Sequence, residues 1–140
     1  MTANGSSEVP SIKLLLVDDE VAYVNVLAKR LAKRGFEVKS AVSGAQGIQA
    51  VRHEDFDVAV LDLKMEDIDG IEVLKIFKQM VPGMAVIMLT GHGSEQAARE
   101  GIRFGAFDYL TKPCELDELV EKILESYEYQ KKRSQQRGPQ

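Results

Sequence analysis

Acidic side chains close two of the apolar runs in this 140-residue sequence: Leu14-Leu15-Leu16-Val17 leads into Asp18-Asp19-Glu20, and Val58-Ala59-Val60-Leu61 leads into Asp62. Two further runs end on a hydroxyl and an ammonium, with Thr90 after Ala85 to Leu89 and Thr111-Lys112-Pro113 after Phe107 to Leu110. Each signal is ordinary alone, because Asp caps helices, Thr suits strands and a Lys after a strand is commonly solvated. Chance seldom supplies all of them at the ends of four runs in one short chain. If the first and third runs are neighbouring strands, Asp18, Asp19 and Asp62 converge, and like charges at that separation repel unless a cation neutralises them. Oxygen-only ligands select a hard cation, most simply Mg2+.

That set of groups suits phosphoryl transfer onto a carboxylate. Asp62 is the expected nucleophile, forming an aspartyl-phosphate. Transfer depends on positioning and on neutralising the moving oxygens, so Mg2+ held by Asp19 and Asp62 and the Lys112 ammonium would supply most of the electrostatic stabilisation. Thr90 is placed to donate to a phosphoryl oxygen, and Asp18 to act on the metal through a water. His92, alone in a glycine-flanked loop, reads as an exposed bystander, not a phosphate carrier or ligand.

The elements that must position these groups alternate five times between short Val/Ile/Leu-rich runs and longer amphipathic stretches, the pattern of an α/β domain with a parallel sheet. Strands are expected at Ile12 to Val17, Phe36 to Ala41, Asp57 to Leu61, Met84 to Leu89 and Phe107 to Leu110. The first, third and fourth are almost continuously apolar and so belong in the centre, covered on both faces. Val21, Val24, Leu27, Ala28 and Leu31 share one face of a first helix, which Gly35 stops. Further helices are expected at Gly44 to Arg52, Gly70 to Met80, Ser94 to Phe104 and Leu116 to Tyr129, with Ser43 and Ser94 as N-caps. Right-handed connections put helices on both sheet faces, and ligand chemistry then belongs beyond the carboxyl ends of the strands, where the acids are.

With 44% hydrophobic and 29% charged residues, the chain has an ordinary globular composition, and one domain over 11–130 is expected between a flexible tail at 1–10 and a basic tail at 131–140. Cys114 is the only cysteine, so neither an internal disulfide nor a cysteine zinc cluster can form, which fits a cytoplasmic location. Neither a signal peptide nor a membrane-spanning run is evident. The net charge is −4, yet Lys131, Lys132, Arg133 and Arg137 crowd the last ten residues, which leaves the body strongly acidic. An acidic body disfavours direct nucleic-acid binding. The basic tail reads as a solvated helix end or the start of a linker.

Through LLLVDDE, VLDLKMEDIDG, VIMLTGHG and FDYLTKP, in that order over about residues 11 to 128, the sequence resembles the receiver domain of two-component response regulators, of the chemotaxis, CheY-like type. The resemblance implies a flavodoxin-like, doubly wound five-stranded parallel sheet of order 2-1-3-4-5 with five helices. It implies Asp62 as phosphoacceptor, Asp18 and Asp19 as the acid pair, and the Lys64 backbone carbonyl as a further Mg2+ ligand. Thr90 and Tyr109 are implied as switch residues, Lys112 as the site lysine, and the Lys112-Pro113 bond as cis. The implied partners are a histidine kinase or phosphotransfer protein and a downstream effector, with a phosphorylation-dependent homodimer also allowed, through the face of the fourth helix, fifth strand and fifth helix. Such a chain modifies itself and turns over no external substrate. One departure is visible, since Glu66 follows Met65 where many relatives carry Pro. A haloacid-dehalogenase-like phosphatase also uses an Asp nucleophile with Mg2+, but needs an acid two positions later, where this chain has Lys64. A flavodoxin-like cofactor module would need a glycine- and hydroxyl-rich phosphate loop where this chain has DDE.

Overall fold

A computed structural model describes residues 11–91 and 93–137; the residues of the expected N-terminal tail, His92 and the last three positions lie outside it. Strands β1 (Lys13–Val17), β2 (Glu37–Ala41), β3 (Val58–Asp62), β4 (Ala85–Thr90) and β5 (Asp108–Thr111) alternate with helices α1 (Val21–Lys33), α2 (Gly44–His53), α3 (Gly70–Met80), α4 (Glu95–Arg103) and α5 (Leu116–Arg137). All neighbouring strands pair in parallel, in the order β2-β1-β3-β4-β5. The three runs without polar interruption, β1, β3 and β4, are the interior strands, while β2, with Glu37, Lys39 and Ser40 exposed, lies at an edge.

Two-residue alternation divides the core into two layers. Leu14, Leu16, Val58, Val60, Ile87 and Leu89 face α1 and α5, where Val24, Leu27, Leu31, Leu119 and Ile123 cover them. Leu15, Val17, Ala59, Leu61, Val86 and Met88 face α2, α3 and α4, where Val51, Leu74, Phe77 and Ala98 cover them. The α4 contribution is thin: only Ala98 and Gly101 of its nine residues are buried. Gly101 permits the approach, because a Cβ there would meet the Met88 sulfur.

Two local expectations change. Ser43 caps α2 as anticipated, accepting from the Gln46 amide at 3.0 Å, but Ser94 makes no side-chain cap bond to α4. Instead the Glu95 carboxylate turns back to accept from the Gly93 amide at 3.1 Å. Helix α5 continues past Tyr129 to Arg137, so residues 131–137 of the expected tail are helical. They are good helix formers with no Gly or Pro before Gly138.

The loop from β3 to α3 folds tightly against its own strand. Asp69 caps α3 by accepting from the Ile71 amide at 2.9 Å, and the Gly70 amide donates to the Leu63 carbonyl at 3.1 Å. A Cβ on Gly70 would lie 2.5 Å from the Leu63 Cα and 2.9 Å from the Asp62 carbonyl oxygen. Backbone cannot yield as a flexible side chain would, so Gly70→Ala is expected to destabilise the chain by about 1–3 kcal/mol, read as a lower urea midpoint at unchanged slope. An unchanged midpoint would show that the loop has room for a side chain.

Candidate functional site

Strand order brings the acids together. Because β1 and β3 are adjacent, Asp18 follows the end of β1 beside Asp62 at the end of β3, and carboxylate oxygens of Asp18, Asp19 and Asp62 lie within 4.8 Å of one another. Asp18 is 0% exposed and Asp62 5%, so these charges have little water to solvate them. Neither Asp18 nor Asp19 caps α1, whose N-cap is Glu20; the Asp18 carboxylate accepts instead from the Glu20 amide at 3.0 Å.

From the other side of the site comes Lys112, just past β5. Its ammonium donates to Asp18 Oδ2 at 2.8 Å and to Glu20 Oε1 at 3.0 Å, and it lies 3.4 Å from Asp62 Oδ1. The Tyr23 ring, on the first turn of α1, lies 4.6 Å from the same nitrogen. The Lys112-Pro113 bond is cis. Thr90 ends β4, one residue past Leu89, the register partner of Asp62, and is 1% exposed. Its hydroxyl donates to the Gly91 carbonyl at 3.3 Å, and its carbonyl accepts from the Lys112 amide at 2.7 Å. Tyr109 is half-buried and sits nearer the start of β5 than its end, in register with Met88. Alternation puts Tyr109 and Thr90 on the same sheet face, on neighbouring strands. Lys64 is exposed in the loop after Asp62.

Several participants escaped the sequence reading. Glu20 and Tyr23 reach Lys112 across a large sequence separation, which only strand order reveals. Asp67 accepts from the Gly44 and Ala45 amides, each at 3.0 Å, tying the β3–α3 loop to the start of α2, and those bonds hold its carboxyl below the usual range. The Glu66 amide donates to Asp19 Oδ2 at 3.0 Å. A proline at this position has no N–H to give, so the departure at Glu66 adds a restraint on an acid of the cluster.

Burial raises the Asp62 carboxyl from 3.8 to about 6; the Asp18 charge adds to the shift, and Lys112 opposes it. Burial pulls the Lys112 ammonium the other way, but its bonds to Asp18 and Glu20 and the charge of Asp62 overcome that and hold it well above the usual range. One ammonium thus faces three carboxylates, two of them buried, while Asp19 adds a further negative charge to the cluster. Three oxygen donors with surplus negative charge fit a hard divalent cation, and this is the group among the described residues that could hold one.

The family model described as "Response regulator receiver domain" matches residues 14–124. The chain belongs to the response regulator receiver domain family. It is 38% identical over 115 residues to the transcriptional regulatory protein GlrR of Escherichia coli, covering 82% of this chain and 26% of that protein. To the photosynthetic apparatus regulatory protein RegA of Cereibacter sphaeroides it is 36% identical over 111 residues, covering 79% of this chain and 60% of RegA. A CheY-like receiver domain protein of Methanospirillum hungatei superposes with a TM-score of 0.84 at 32% identity, covering 89% of this chain and 99% of that one. The chain spans about a quarter of the length of GlrR and of the ZraR regulators it matches. As a receiver it is a phosphorylation-dependent signalling domain with the flavodoxin-like fold, and receivers bind Mg2+ at an acidic pocket. The phosphatase alternative gains nothing: Lys64 stands where that chemistry needs an acid. Among the described residues no helix is long and apolar enough to cross a membrane.

The raised Asp62 carboxyl has a sign that can be tested. Without metal, between pH 4 and 6 the folded receiver holds a proton at Asp62 that the unfolded chain has lost, so stability falls as pH rises through this window. Asp62→Asn is therefore expected to stabilise the metal-free receiver at pH 7.5 by on the order of 2 kcal/mol, with the gain vanishing near pH 4. Urea unfolding in EDTA at the two pH values checks this; a gain that is absent at pH 7.5, or equal at both, would contradict it.

Proposed function

We propose that this receiver accepts a phosphoryl group on Asp62 from the phosphohistidine of a histidine kinase or phosphotransfer protein, and that the modification alters partner binding through the α4-β5-α5 face. The observation that carries the reading is the meeting of Asp18, Asp19 and Asp62 with one ammonium, Lys112, at the carboxyl edge of a parallel sheet. A carboxylate oxygen of Asp62 attacks phosphorus, the P–N bond breaks, and the electron pair returns to the imidazole nitrogen. Asp19, Asp62 and the Lys64 carbonyl would hold Mg2+, with Asp18 reaching it through water. When bound, the ion neutralises charge on the phosphoryl oxygens. Lys112 supplies a second positive charge, held in place by Asp18 and Glu20, and Thr90 contributes a hydroxyl once it turns from the Gly91 carbonyl. The Glu66 amide keeps the Asp19 carboxylate aimed at the cluster.

Incubation with Mg2+ and acetyl phosphate is expected to add one phosphoryl group to Asp62, and Asp62→Asn to abolish it. Asp19→Asn should lower Mg2+ affinity and labelling together, about tenfold or more, and Asp18→Asn less. An acid- and base-stable label on Ser or Thr, or equal Mg2+ affinity in wild type and Asp19→Asn, would refute the assignment.

The switch reading rests on three features: Thr90 and Tyr109 share one sheet face, the Lys112 amide ties β5 to β4, and α4 is held by few buried residues. Thr90 drawn toward the phosphate vacates space beside Tyr109, and two Tyr109 positions would carry the signal to the surface. Moving such an equilibrium from 1:99 to 99:1 takes about 5.5 kcal/mol of differential interaction, so a partner or a second receiver completes the shift. The regulatory relatives support a downstream effector as that partner. Amide exchange with and without beryllofluoride should change most between Gly91 and Thr111; changes confined to the loop after Asp62 would refute the coupling.

A further inference from the structure

At the opposite end of the sheet from Asp62, where β4 and β5 begin, a cleft of about 520 Å3 opens between the α3–β4 turn, the α4–β5 turn and the far end of α5. Six residues of β4 separate it from the acid cluster, roughly 20 Å of strand. Its chemistry is the inverse of the acidic end. Lys78 and Arg133 both line it, no carboxylate does, and neither cation pairs with an acid among the described residues. In a chain of net charge −4, two unpaired cations in one cleft require explanation.

Lys78 donates to the Pro82 carbonyl at 2.9 Å and the Met84 carbonyl at 2.8 Å, a staple across the α3–β4 turn that leaves one of its three N–H groups unassigned. Burial lowers the pKa of this ammonium, and the Arg133 charge lowers it further, so the two cations lie close enough to feel each other. Arg133 spends one N–H on the Tyr129 hydroxyl, at 3.5 Å, and keeps four. The cleft also has an apolar side. Tyr129 is 47% exposed, its ring 5.5 Å from that of Phe107, and Ile102 is 41% exposed beside them. The helical extension beyond Tyr129 builds this wall, bringing Arg133 and Ser134 over the turn.

We propose that this cleft is a second binding site, for a small ligand that joins a phosphate group to a planar ring. The phosphate lies between Lys78 and Arg133, and the ring against Tyr129 and Ile102. The volume is within the range of small-molecule sites, and a few convergent polar groups beside aromatic surface are their usual composition. An anion there would offset both positive charges: backbone carbonyls meet Lys78, and the Tyr129 ring lies 5.8 Å from the Arg133 guanidinium, but no carboxylate among the described residues pairs with either. The inference is independent of the chemistry at Asp62.

The test is an amide NMR titration of the 140-residue chain in EDTA, which keeps metal from the acid cluster, with AMP, adenosine and inorganic phosphate as probes. AMP is expected to shift Gly83, Gly105, Phe107 and Tyr129 saturably and to leave the residues around Asp62 unmoved. Adenosine and phosphate should each bind about tenfold more weakly or worse. Arg133→Ala, on an exposed helix end, should weaken AMP binding by a similar factor; Lys78→Met, which also removes the staple, should do so with the spectrum of the folded chain retained. Adenosine or phosphate binding as tightly as AMP, shifts centred on Asp62, unchanged binding in Arg133→Ala, or no saturable shift at millimolar AMP would each overturn the proposal.

Discussion

The ion pairs of Lys112 govern the functional end of this receiver. Its ammonium contacts Asp18 and Glu20 and lies 3.4 Å from Asp62, so one positive charge serves a cluster in which two of the acids are withdrawn from water. In such surroundings charge is expensive unless matched, and the mismatch appears as an Asp62 carboxyl raised to about 6. In the proposed reaction a divalent cation in the cluster and a phosphoryl group on Asp62 would enter as complements: the first would remove the surplus negative charge, and the second would meet an ammonium already in place. Preorganisation of this kind costs fold stability and is recovered only when the missing charges arrive.

The same lysine links chemistry to conformation. Its side chain belongs to the acid cluster, while its amide donates to Thr90 at the end of the neighbouring strand. In the proposed switch, a charge change at Asp62 would reach β5 and β4 through this residue, next to the helix with the fewest buried residues among those described. The stiff parts of the fold, β1 and β3 in the centre of the sheet, hold the acids, and the edge strand with its loosely packed helix holds Tyr109. That division is what the proposed switch would need, with a fixed site and a surface free to move.

Much of this was legible in the sequence because the fold's strongest signals are local. Apolar continuity marked β1, β3 and β4 as interior strands, and the residues ending those runs were the ones that meet at the site. What stayed hidden was non-local or compositional. Glu20 and Tyr23 find Lys112 only because the residues that follow β1 and β5 meet over the carboxyl edge of the sheet, and Asp67 reads as a loop acid until α2 is seen to begin against it. The end of α5 carries no apolar periodicity, so its charges read as a tail, yet the residues are good helix formers and the helix runs on. The capping bond expected of Ser94 is absent, and its backbone, at φ −114° and ψ 11°, departs from the extended conformation that a capping residue usually adopts. Glu66 was noticed as a departure, but its amide bond to Asp19 could not be read from residue types.

The cluster carries more negative charge than Lys112 can balance, and a divalent cation would restore the balance. The most direct measurement is a carbon-13 NMR titration of the Asp62 side-chain carboxyl, with and without saturating Mg2+. A midpoint near 6 is expected in EDTA, falling below the ordinary carboxylate value of 3.8 when Mg2+ is bound. A midpoint near 3.8 in EDTA, or one that Mg2+ does not move, would contradict it.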